Sequence, residues 1–141
     1  MNIELNPGQT NTRIGELTLY GSVNLTGCEN LLWKIVNNNG TPNFALPTTI
    51  ADVAPFVGAS GDVAGNQSAA ESPAMNENCR VLLDGTCNPG QQLALSTLNW
   101  GRLAVPAAGY GTGYYTHIAE EAGVAGQTVK CRRVADRVFT L

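Results

Sequence analysis

The chain has 141 residues, a formal net charge of −3, 43% apolar and 13% charged residues, and a pI near 5.0. That length is enough for one ordinary domain to bury a core without disulfides or metals, and that apolar share excludes disorder throughout. The acidic balance supplies no global basic field for nucleic acid, and no stretch approaches the ~18 consecutive apolar residues of a membrane-crossing helix.

Charged residues are about half as frequent as in a typical soluble domain. A solitary monomer covers itself with them, so their scarcity points to a surface that partners cover. The start, Met1-Asn2-Ile3-Glu4-Leu5-Asn6-Pro7-Gly8, lacks a basic segment followed by an apolar run, so synthesis and retention on the cytosolic side are expected.

Residues 1–13 read as an extended arm, in which Ile3, Leu5, Pro7 and Arg13 are candidate partner contacts. A single β domain is expected over 14–141. Its first strand or bent pair falls in Ile14–Val23, and another at Leu31–Val36 is closed by the turn-rich run Asn37-Asn38-Asn39-Gly40. Ile50–Phe56, bracketed by Pro47 and Pro55, has room for one helical turn. Ser60–Asn78, rich in Gly, Ala, Ser and Asn, reads as a long loop. Further short strands are expected at Arg80–Leu83, Gln92–Leu95, Leu103–Val105, Tyr114–Ala119 and Thr128–Val134, with a last one at Val138–Leu141. Short strands separated by turn chemistry predict an all-β barrel or sandwich.

An internal echo divides this domain. Cys87 follows Cys28, and Pro106 follows Pro47, by the same 59 positions, within Ala45-Leu46-Pro47 and Ala104-Val105-Pro106 in the second case. Val63-Ala64-Gly65-Asn66-Gln67 recurs as Val124-Ala125-Gly126-Gln127, and Asn78-Cys79-Arg80-Val81 as Lys130-Cys131-Arg132-Arg133-Val134. Two related β lobes, 28–83 and 87–134, are expected, each with one Cys at its start and one in its closing strand. Neither is large enough to hold much core alone.

Chemistry-bearing residues are few. Cys28, Cys79, Cys87 and Cys131 lack the close pairs of a zinc site, so four small buried side chains are expected and no metal or cofactor. Disulfides remain possible by parity. His117 is the one histidine, and no nucleophile elbow, metalloprotease motif or P-loop is present, so no catalytic residue is assigned and the chain is not expected to be an enzyme. Glu120 and Glu121 are adjacent and face opposite ways on a strand. Lys130, Arg132, Arg133 and Arg137 read as a solvated or ion-paired edge. Tyr110, Tyr114 and Tyr115, set among Gly109, Gly111 and Gly113, form either a hairpin loop or a surface that grips a partner or a sugar. Trp33 and Trp100 read as core or lobe-interface residues.

The order Cys87-Asn88-Pro89-Gly90-Gln91-Gln92-Leu93-Ala94-Leu95, then Gly101–Pro106, then Ile118–Arg132 resembles the small capsid decoration, or cement, proteins of tailed bacteriophages. The likeness covers Thr86–Val134 and, more faintly, Leu31–Leu83. Its motifs are Gly, Ala and Val patterns of low specificity, and the tyrosine-rich loop and the long first-half loop depart from them. The resemblance implies a virion protein on the capsid exterior that binds the major capsid protein and stabilises the head, as a homo-oligomer with a trimer favoured. It implies no cofactor, no direct nucleic-acid contact and no membrane. The alternative is a glycan- or receptor-binding β module using Tyr110, Tyr114 and Tyr115.

Overall fold

The computed structural model describes residues 16–141, so the arm contacts Ile3, Leu5, Pro7 and Arg13 lie outside the described residues. Ten strands and no helix make up this part. They are β1 (Glu16–Tyr20), β2 (Leu32–Asn38), β3 (Thr41–Ala45), β4 (Phe56–Ser60), β5 (Gln67–Glu71), β6 (Asn78–Leu82), β7 (Gln92–Leu95), β8 (Leu103–Ala104), β9 (Thr112–Ala119) and β10 (Thr128–Thr140). The protein is all-β, built as two five-stranded antiparallel sheets ordered β1-β5-β4-β2-β3 and β6-β10-β9-β7-β8. The second order is the first advanced by five strands.

The correspondence extends to individual hydrogen bonds. Gly21 N donates to Asn66 O at 3.0 Å and Gly65 N to Gly21 O at 2.9 Å; in the second sheet Leu83 N donates to Gln127 O at 2.8 Å and Gly126 N to Leu83 O at 2.9 Å. Asn30 N to Gly58 O recurs as Gly90 N to Ala119 O, and Asn30 and Gly90 both have positive φ, 64° and 88°. Parallel bridges Gly21↔Phe44 and Leu83↔Leu103 also match.

Several elements differ from the sequence expectation. Strand β6, expected in the first half, is hydrogen-bonded into the second sheet against β10. Cys79 and Cys131 are therefore direct cross-strand partners, not equivalent positions of a repeat. Strand β10 runs on through Val138 as one 13-residue strand and lies inside its sheet between β6 and β9, not at an edge. Ser60–Asn78 contains β5, whose Gln-Ser-Ala-Ala-Glu sequence has little strand propensity; pairing with β1 and β4 imposes the conformation. Ile50–Phe56 holds no helical turn: Thr48–Asp52 is a turn in which Asp52 N donates to Thr49 O at 3.2 Å and the Asp52 carboxylate accepts from Thr48 N at 2.7 Å and Thr49 N at 3.1 Å, and Phe56 already opens β4. Asn39 and Gly40, with φ of 51° and 87°, close the β2–β3 hairpin as a two-residue turn. Pro42 is tolerated in β3 because β3 is an edge strand.

Two apolar clusters hold the sheets. In the first, Leu25, Trp33, Phe44 and Ala70 are buried, with Phe44 edge-on to Trp33 (ring centroids 5.2 Å apart) and to Phe56 (5.6 Å). The Trp33 indole N–H donates to Cys28 O at 3.0 Å, so its polar atom is satisfied inside the core. The second cluster joins Val81, Leu83, Leu93, Leu95, Leu103 and Val129 with Leu32 and Val57 of the first sheet and Ala54 of the β3–β4 connection. At this junction Leu32 N donates to Gly101 O at 2.8 Å and Leu82 N to Asn30 O at 2.9 Å. Gly101 has φ 88°, and a Cβ there would lie 3.0 Å from the Leu31 Cβ and the Leu32 carbonyl, so both conformation and space require glycine.

Candidate functional site

Among the described residues the most exposed large apolar side chain is Leu98, at 78% of its free surface, in the β7–β8 loop; Trp100 in the same loop is 39% exposed. Exposed apolar residues on a loose loop would be costly to order on binding, but this loop is already fixed. The Asp84 carboxylate, 6% exposed, accepts from the Ser96 hydroxyl, from Asn99 N at 3.0 Å and from Asn99 Nδ2 at 2.8 Å, with Arg102 Nη1 at 3.7 Å. Leu98 N donates to Ser96 Oγ at 3.0 Å. Burial pushes the Asp84 carboxyl up, but the Ser96 and Asn99 hydrogen bonds and the Arg102 charge outweigh it and hold it below the ordinary carboxylate value.

Tyr110 belongs to this loop's support, since its hydroxyl accepts from Thr97 N at 3.4 Å. The three candidate tyrosines do not share one surface. Tyr115 sits against Phe139 (centroids 4.7 Å apart) under Arg137, and Tyr110 leans on the same Phe139 at 6.4 Å. Tyr114 is paired with Val138, which strand alternation places on the opposite face of the ribbon. Gly111 is pinned by reciprocal hydrogen bonds with Leu141 at 2.9 and 3.0 Å, so the glycine run is a structured connection between β8 and β9.

Of the four basic residues near the end, Arg132 and Arg133 are ion-paired and Arg137 lies over the Tyr115 ring. Arg132 Nε meets Glu120 at 2.7 Å, Arg80 meets Glu121 at 2.9 Å, and Arg133 meets Asp136 at 2.8 Å. Glu120 and Glu121 each serve a separate arginine.

A second cluster lies inside the second sheet. Pairing of β6, β10 and β9 brings together Cys79, Cys131 and His117, 8%, 0% and 1% exposed, with one ligand-capable atom of each within 4.8 Å of the others. The sulfurs are 3.9 Å apart. His117 Nδ1 is 2.8 Å from Thr116 Oγ1, while its buried Nε2 has no hydrogen-bond partner. The hydrogen bond with Cys131 pulls the Cys79 thiol down to about 5 against the opposing effect of burial, aided by His117 beside it. Cys131 is pushed up by the same hydrogen bond and by burial. Chain spacing could not announce this cluster, because 38 and 14 residues separate its members and only strand register unites them. Among the described residues no disulfide forms; Cys87 is buried beside Glu121 O and Cys28 is partly exposed.

No family model matches the sequence, and no curated protein matches it. Among solved structures the chain is similar to the N base of head fiber gp8.5 of bacteriophage phi29, with a TM-score of 0.68 and 11% sequence identity, over 88% of this chain and 97% of that one. At that identity the likeness is one of fold.

Proposed function

We propose that the protein is a structural component of a phage virion that binds the outer surface of the assembled head through the major capsid protein and stabilises the shell. The observation that carries this reading is the fold shared with nearly the whole of a phage head fiber's N base. Two features agree with it. The chain is poor in charge, and the most exposed large apolar side chain among the described residues stands on a loop held by Asp84. A preorganised apolar loop binds without the ordering cost of a floppy one. In this reading Leu98 and Trp100 enter the capsid interface, and Tyr110 acts from behind by holding Thr97. The protein is a binding partner and not a catalyst, and on the head it assembles as a homo-oligomer, a trimer by preference.

Mixing the purified chain with isolated heads of its phage and pelleting them tests the proposal. Saturable recovery in the pellet is expected; protein that stays in the supernatant at every ratio rejects it. The glycan-binding alternative would need a shared tyrosine platform, and Tyr114 stands apart from Tyr110 and Tyr115.

A further inference from the structure

The two sheets provide an internal comparison for the Cys79–His117–Cys131 cluster. Hydrogen-bond register sets Leu17 opposite Ala70 in the first sheet and Cys79 opposite Cys131 in the second, in each case three residues from the Tyr20↔Gln67 or Leu82↔Thr128 end of the strand pair. Phe56 lies opposite Trp33, as His117 lies opposite Leu93. The positions that hold Leu17, Ala70 and Phe56 in one sheet therefore hold Cys79, Cys131 and His117 in the other. The apolar trio belongs to the first core cluster and shows that the fold needs nothing but packing there. All three substitutions are to metal-ligating residue types.

We infer that Cys79, Cys131 and His117 form a buried binding site for a thiophilic divalent metal ion of the zinc class. Three observations support this. The 3.9 Å between the sulfurs is close to the ~3.8 Å edge of a tetrahedron with zinc–sulfur bonds of about 2.3 Å, and it is far beyond the ~2.05 Å of a disulfide. His117 Nε2 is buried without a partner, an arrangement that costs stability unless something occupies it. His117 Nδ1 lies 2.8 Å from Thr116 Oγ1, and in the tautomer whose Nδ1–H donates to that hydroxyl the lone pair falls on Nε2, as in histidines that ligate through that atom.

The charges also balance. Both thiols lose their protons on binding, and two thiolates with a neutral imidazole cancel the charge of a divalent ion, so no net charge is buried. Cys79 is the least buried of the three, at 8% exposure. The ion would tie β6, β10 and β9 together. The site is independent of capsid binding.

The test uses the full reduced chain, purified without chelators, titrated with Zn²⁺ and separately with Co²⁺. Expected are about one zinc per chain, a rise in thermal midpoint with Zn²⁺, and a thiolate-to-cobalt charge-transfer band. Cys79→Ala and Cys131→Ala should each abolish the band, and His117→Gln should weaken affinity by about tenfold or more. Cys28→Ala/Cys87→Ala should bind as the parent does. Should any variant fail to fold, the parent chain still decides: folded, reduced protein that takes up no zinc and gives no cobalt band overturns the site. So does a band that survives loss of both Cys79 and Cys131, or a Cys79–Cys131 disulfide in a protein that binds no metal once reduced.

Discussion

Gly58 lies directly beneath the indole of Trp33. A Cβ at position 58 would overlap the Trp33 ring and come within 2.6 Å of the Cys28 carbonyl oxygen, the same oxygen that accepts the indole N–H. The β4 glycine is thus the space into which the largest side chain of the first core fits, and Trp33 is fully buried as a result.

Gly58→Ala is therefore expected to destabilise the protein by about 2 kcal/mol or more, since neither a packed ring nor a backbone carbonyl can give way cheaply. Urea denaturation checks this. In a Trp33→Leu background the same substitution should cost clearly less, because the two residues share one volume and their effects are not additive.

Asp84→Asn is expected to cost about 2 kcal/mol at neutral pH, because the buried carboxylate accepts several hydrogen bonds that an amide cannot all satisfy. The pH dependence has a definite sign. The folded pKa of Asp84 lies below its unfolded value, so its stabilisation is complete above the unfolded value and is lost as pH falls through the folded one. The parent chain should lose more stability than the Asn variant between pH 5 and pH 2, a window set by the ordinary Asp value of about 3.9 and the direction of the shift. Equal losses would contradict the role given to Asp84.

The all-β class, and strands such as β7 with its expected bounds Gln92–Leu95, were legible because β-formers there stand between turn residues. Strands β3, β4 and β5 were not, because Thr-Pro-Asn-Phe-Ala, Phe-Val-Gly-Ala-Ser and Gln-Ser-Ala-Ala-Glu form strands only through their neighbours. The echo in the sequence ran through Ala45/Ala104 and Gly65/Gly126, which the hydrogen bonding places at matching points. It failed at the cysteines, where a repeated Cys-Arg string came from two strands that face each other. The Cys–His cluster was invisible for a related reason, since its members meet across strands. The Leu98 loop was missed because one exposed leucine is indistinguishable in sequence from a buried one; only the Asp84 clamp gives it meaning.

Leu98→Asp should weaken binding to heads by about tenfold or more, as expected for a charge placed in the desolvated centre of an interface. Its thermal midpoint should stay near that of the parent, because Leu98 is mostly exposed and contributes little to the core. Undiminished head binding by a folded Leu98→Asp protein would remove this loop from the interface.

The central claim, attachment to the outside of an assembled phage head, is tested most directly by imaging heads of the phage with and without added protein and subtracting the two reconstructions. The account predicts extra density on the outer surface of the shell, of a size matching the two five-stranded sheets and grouped in contacting copies, most simply threes. Heads that gain no outer density, or that gain only isolated copies touching no neighbour of their own kind, would contradict it.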